Sequence, residues 1–129
     1  MKTDISALLV VENFIDEHAR VIRNENVLTD EVVAKLYEIS VEEVHSVVEK
    51  DKRRFPSDFM FLLNGKEKKK LLSKRDKIYV FTWGGILMLG GQLKSTRAIR
   101  THMQMIELFV GQMPGKVFEI LSEIQSIKK

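Results

Sequence analysis

Apolar residues recur along this chain at two different periods, and the period changes where one element gives way to the next. Val32, Val33, Leu36 and Tyr37 keep the 3, 4 spacing of a buried helical face, and Ala34 is small enough for close helix packing. Thr29 suits the N-cap of this first helix, while Asp30 and Glu31 suit the positive end of its dipole. Glu38-Ile39-Ser40 forms a tight junction, and Ser40 with Glu43 makes a capping-box pattern that opens a second helix. Val41, Val44, Val47 and Val48 are its inward stripe; Glu42, His45, Ser46, Glu49, Lys50 and Arg53 face outward, and the helix is expected to run to Arg54. Two helices joined by so short a turn form a helix-turn-helix-like pair, which lets the second helix project into a DNA major groove.

Elsewhere the pattern alternates between short strands and helices. Residues 20–23 and 27–29 flank the polar run Asn24-Glu25-Asn26, which predicts a hairpin with a three-residue turn. Phe59 to Leu63 is an apolar, β-prone run closed by Asn64-Gly65, and Lys77 to Phe81 predicts a strand that pairs with it or with the hairpin. Between them, Lys66 to Ser73 reads as a short lysine-rich helix. Thr82 is placed to cap a helix from Trp83 to Leu89 that stops at Gly90-Gly91. Gly84 and Gly85 inside it each cost roughly 1 kcal/mol relative to Ala, which predicts close packing against another backbone. A long helix capped by Ser95 or Thr96 extends to Met113, with Ile99, Met103, Ile106, Phe109, Val110 and Met113 assigned to its core face. Residues 10–17 predict a further short helix near the start.

Pro114-Gly115 breaks the pattern, and Lys116 to Lys129 is a final amphipathic helix with Val117, Ile120, Leu121, Ile124 and Ile127 on one side. Such a stripe suits packing against a second copy, so a homodimer is expected through it. Together these elements predict an α+β domain: a small antiparallel sheet packed against several helices. The domain spans residues 1–113, and 114–129 serves dimerisation or connects to a further region.

Four stretches also carry a resemblance. Residues 33–37 (VAKLY), Arg54-Phe55-Pro56-Ser57-Asp58-Phe59-Met60-Phe61-Leu62, Phe81-Thr82 with Gly85-Ile86-Leu87-Met88-Leu89, and Leu93-Lys94-Ser95 with Ala98 through Phe109 stand in a recognisable order. This succession resembles the phage-associated ORF-six N-terminal domain, a relative of the KilA-N and Bro-N domains, over residues 20–113. Trp83-Gly84 departs from the family pattern, where polar residues are usual. The resemblance implies a DNA-binding domain of phages and mobile elements, of antirepressor or transcription-regulator type.

Composition narrows the setting. A chain of 129 residues with 44% hydrophobic content is sized for one domain with a real core. It has no Cys, which removes disulfides and thiol chemistry and agrees with a cytoplasmic location. No apolar run reaches membrane-spanning length, and the N-terminus does not read as a secretory signal. The net charge of +3 hides a strong polarity. Residues 1–49 carry 4 Lys/Arg against 11 Asp/Glu, and residues 50–100 carry 14 against 4. Either the basic segment presents a cationic face that attracts phosphates, or the acidic and basic segments fold against each other and cancel.

The candidate contacts to duplex DNA follow from that charge. His45, Lys50, Lys52, Arg53 and Arg54 lie on or beyond the second helix of the pair; as cations at a helix end they also simply favour its dipole. Lys68, Lys69, Lys70, Lys74 and Arg75 form the densest basic run, which suits either a backbone clamp or a solvated face. Lys94, Arg97 and Arg100 lie near the start of the long helix, where a phosphate would also meet open amides. Glu42, Glu43 and Glu49 on the second helix count against base reading along its length. The three His form no metal-ligand spacing, Gly90 to Ser95 lacks the glycine a phosphate loop needs before its lysine, and the adjacent carboxylates point apart, so neither metal, cofactor nor enzymatic activity is expected. A second expectation is a protein-interaction module that binds a repressor or other regulator without touching DNA, motivated by the acidic first half and the apolar 117–127 stripe.

Overall fold

The computed structural model describes residues 5–112. In chain order it contains α1 (Ile5–His18), β1 (Arg20–Ile22), β2 (Glu25–Thr29), α2 (Asp30–Tyr37), α3 (Val41–Lys50), a 3-10 turn (Lys52–Arg54), β3 (Met60–Leu62), α4 (Gly65–Lys70), β4 (Tyr79–Phe81), α5 (Trp83–Gly90) and α6 (Thr96–Gln112). The α+β expectation holds. The strands form one antiparallel sheet in the order β1-β2-β4-β3, so β4 pairs with both predicted neighbours. The expected helix over 116–129, with its dimerisation stripe, lies outside the described residues.

Local sequence explains most element boundaries. Thr29 accepts a hydrogen bond from the Val32 amide at the start of α2, and Ser40 accepts one from the Glu43 amide at the start of α3. Glu38, in the left-handed region with φ 56°, ends α2 and turns the chain into α3. The two helices pack through Val33, Leu36, Tyr37, Val44 and Val48, all buried in a core shared with Phe55, Phe81, Ile86 and Leu89. A second cluster, Val27, Phe61, Leu63, Ile78 and Val80, fills the opposite face of the sheet. The predicted close approach at α5 is real: a Cβ on Gly85 would fall on the Phe59 carbonyl oxygen, and one on Gly84 would lie 2.6 Å from the Phe59 ring.

Four expectations are corrected. The hairpin turn is Arg23-Asn24, one residue earlier than the polar run suggested, and both residues have positive φ (55° and 62°). Arg23 compensates by stacking over the Phe61 ring and binding the Glu67 carboxylate with two nitrogens, at 2.9 Å each. Helix α3 ends at Lys50, because Asp51 takes an extended conformation and residues 52–54 form a 3-10 turn. Asn64 does not merely close β3; it caps α4 in a reciprocal capping box with Glu67. Thr82 precedes α5 without capping it through its side chain, since its hydroxyl donates to the Asp58 carbonyl at 2.7 Å.

The largest difference concerns α6. Its buried positions are Ala98, Met105 and Leu108, while Ile99, Met103, Ile106 and Val110 are exposed. His102 fixes the register there by donating from Nε2 to the Leu87 carbonyl at 2.9 Å.

Candidate nucleic-acid interface

Asp30 is the most connected polar residue described. Its side chain is fully enclosed at the first turn of α2, yet every acceptor direction is used. Arg75 binds it with both terminal nitrogens, at 2.7 and 2.9 Å. His45 reaches across from α3 to Oδ2 at 2.6 Å, and the backbone amides of Glu31 and Tyr79 donate at 2.8 and 3.2 Å. Burial by itself pushes the Asp30 carboxyl up, but the hydrogen bonds from Arg75 and His45, the Arg75 charge and the Tyr79 amide outweigh it and hold the group below its ordinary value. The same contacts raise Arg75, led by the hydrogen bond to Asp30. Thus α2, α3 and the segment leading into β4 are tied together at one anion.

This network uses two of the predicted contact residues. His45 and Arg75 both bind Asp30 inside the domain, and Arg75 also pairs with Glu31 at 3.2 Å. The beginning of a helix predicts an acid at Asp30 from the dipole alone; that it is a buried junction needs the third dimension. The signal available in sequence is weak, namely one Asp among apolar neighbours with Arg75 far downstream.

The remaining predicted cations fall into three groups. Lys50 at the end of α3, Arg54 in the 3-10 turn and Lys94 before α6 line one groove of about 680 Å³, together with Glu43, Asp51 and Ser46. Arg53 and Arg54 both bind the Asp51 carboxylate, at 3.0 and 3.3 Å, and the hydrogen bond from Arg53 leads in lowering it below the usual range. Two guanidiniums share one carboxylate, so positive charge remains, and the Arg53 side chain is 92% exposed. Lys52 is exposed in the same turn.

The second group lies on and after α4. Lys69, Lys70 and Lys74 are exposed, whereas Lys68 donates to the Asp76 carbonyl at 2.7 Å. Lys77 pairs with Glu49 on α3, which raises the lysine and lowers the carboxylate. The third group is Arg97 and Arg100 in the first turns of α6, both exposed, with Arg97 paired to Glu38 at 3.0 Å.

Acidic residues claim the outer face of α3. Glu42, Glu43 and Glu49 are exposed there, and a shallow depression beside them is lined by Glu31, Glu42 and Glu49 with His45, Lys50 and Arg75. Phosphates would be repelled along that face and attracted at the helix end. Phe55, Phe61 and Phe81, buried in the core, leave no base-stacking surface among themselves.

The model of the ORF6N domain matches residues 17–91, more than half of the chain. That span runs from the end of α1 through α5 and includes both helices of the pair, the whole sheet and the Asp30 network. No curated protein and no solved structure matches the chain.

Proposed function

The chain belongs to the ORF6N domain family, a phage-type family, and from that premise we propose that it is a DNA-binding regulatory domain of antirepressor or transcription-regulator type. The observation that carries this reading is the convergence of Lys50 and Arg54 with the distant Lys94 on one groove beside the exposed Lys52 and Arg53. Contact is made to phosphates at the C-terminal end of α3 and not to bases along it, because the outer face of that helix is acidic. Lys69, Lys70 and Lys74 with Arg97 and Arg100 extend the contact to flanking backbone. His45 and Arg75 act as positioning residues, since through Asp30 they hold α3 at a fixed angle to α2 and to the basic segment before β4.

Binding of this kind is electrostatic and salt-dependent. Fluorescence anisotropy with a random-sequence duplex at low salt tests it. Nonspecific affinity at physiological salt is expected at roughly 10⁻⁴ to 10⁻⁶ M, with a log-log salt slope that falls by about 0.9 for each phosphate contact removed. The variant carrying Lys50→Glu, Arg54→Glu and Lys94→Glu should lose most of this binding while Glu42→Gln strengthens it. Unchanged anisotropy at hundreds of micromolar protein, or a triple variant that binds as well as the parent, overturns the reading.

The acidic face of α3 favours a second reading, a module that docks a regulator protein through Glu42, Glu43 and Glu49. A basic partner captured by the parent chain after nuclease treatment, and lost in Glu42→Lys/Glu49→Lys, would support that alternative over the first.

A further inference from the structure

One face of α1 closes a cavity that contains none of the cations assigned to DNA. It lies between α1, β2, α5 and α6 and holds about 420 Å³. That volume falls within the roughly 300–1,000 Å³ of small-molecule sites. Leu28, Ile86 and Leu108 line it and are themselves buried in the domain, so they form its floor. Trp83 adds an indole wall, its ring packed edge to face with Phe109 at 6.2 Å and 80°. The charge around the cavity is of one sign. Glu12 and Asp16, one helical turn apart on α1, both line it, and Asn26 of β2 does too. No Lys, Arg or His joins them among the described residues. Asp16 is exposed and Glu12 half-buried, which puts the two carboxylates at the rim.

These acids stand apart from the others. Asp30, Glu31, Glu38, Glu49, Asp51 and Glu67 each pair with a cation of the domain, whereas Glu12 and Asp16 form no ion pair among the described residues. The combination of rim and floor selects the ligand. A metal ion would use the carboxylates and leave the apolar floor bare; a hydrocarbon would fill the floor and leave the carboxylates idle; an anion would be repelled.

We propose that this cavity binds a small amphipathic cation, a primary ammonium or a guanidinium on an aromatic or branched apolar body. Its charge sits between Glu12 and Asp16 and donates to both carboxylates. Its apolar part rests on Leu28, Ile86 and Leu108 beside Trp83, the side chain type whose face attracts cations most strongly.

Trp83 is the only Trp of the chain, so its emission reads the cavity directly. Phenethylammonium titrated into the full 129-residue chain at neutral pH and low salt should change that emission saturably. The expected Kd is on the order of 1 mM, the range open to a ligand of so few atoms. Phenethyl alcohol and phenylpropionate, similar in shape but neutral and negative, should bind about tenfold more weakly or not at all. Glu12→Gln/Asp16→Asn should weaken phenethylammonium by about tenfold or more with the far-ultraviolet dichroism unchanged. Glu17→Gln, which removes a neighbouring charge of α1 that does not line the cavity, should leave the affinity as it was.

Emission that shows no saturable change up to the order of tens of millimolar phenethylammonium overturns the proposal. So does equal affinity for the alcohol, or undiminished binding by the double variant, since either leaves the carboxylates without a role. Nα-acetyl-lysine amide binding as tightly as phenethylammonium would assign the cavity to a side chain of a partner protein and overturn the choice of a free small molecule. No nucleic acid enters these titrations, and the cavity shares no lining residue with the groove of Lys50, Arg54 and Lys94, so their outcome is read apart from DNA binding.

Discussion

Replacing Asp30 with Asn would remove one charge from an enclosed carboxylate that accepts five hydrogen bonds, two of them from Arg75. The amide keeps the shape and one acceptor, but its NH₂ must then face a guanidinium or an imidazole. Breaking a buried ion pair by deleting one partner costs about 3–5 kcal/mol. The Arg75 side chain is 30% exposed and recovers some hydration, which places the cost at the lower end, about 3 kcal/mol. For a domain of this size a loss of that order lowers the thermal midpoint by roughly 10 °C. Dichroism-monitored melts and urea titrations of Asp30→Asn, Arg75→Gln and the double variant measure it. The double variant should cost clearly less than the two singles combined, since either one already dissolves the pair. The pH dependence carries its own sign. The folded carboxyl is held below its unfolded value of about 3.9, so its contribution is complete above that pH and is lost as the pH falls through the folded value. The parent's acid limb should therefore lie steeper than the variant's. A loss below about 1 kcal/mol in Asp30→Asn, or strict additivity with Arg75→Gln, would refute the claim that this anion ties the helix pair to the basic segment.

Gly85→Ala should destabilise by about 3 kcal/mol or more, because the added methyl falls on the Phe59 carbonyl and both backbones must shift. Gly65→Ala, which meets nothing within 4 Å at the first turn of α4, should stabilise by about 0.5 kcal/mol in the same melts. Leu72 follows the end of α4 with φ 55° while 91% exposed, so Leu72→Gly should raise stability by about 1 kcal/mol, measured by urea midpoint. The Tyr37 phenol is buried, which raises it above its ordinary value, and donates to the Ile86 carbonyl at 2.8 Å. Spectrophotometric titration should show that phenol ionising only when the domain unfolds in alkali, and its ionisation in the native state would contradict its burial.

Sequence legibility followed the reach of the interactions involved. Thr29, Ser40 and the valine stripes of α2 and α3 act over one turn of helix, so spacing and capping chemistry located them correctly. Gly84 and Gly85 told of a close neighbour without saying which, because the neighbour, Phe59, is remote in sequence. The inward face of α6 was misassigned for a physical reason: both faces are apolar, and the larger side chains were the natural guess. What decides is the packing of α6 against α5 and against α1 and α2, which are remote in the chain. Among the candidate site residues, Lys94 lies far in the chain from Lys50 and Arg54 yet shares a groove with them, which charge counting cannot anticipate. His45 and Arg75 look like free cations in the sequence and turn out to be held by Asp30, a residue singled out only for its place at a helix start.

The position of β4 has a further consequence for how the molecule comes into being. The hairpin and β3 are both made before residues 79–81, yet each waits for that late strand to supply its missing partner. As the polypeptide leaves the ribosome, the sheet stays open until β4 slots between edges already synthesised, and the helix pair has no floor to rest on before then. Biogenesis is thus gated by emergence of the stretch around Phe81, and stalled nascent chains that end short of it should remain protease-sensitive along their whole exposed length.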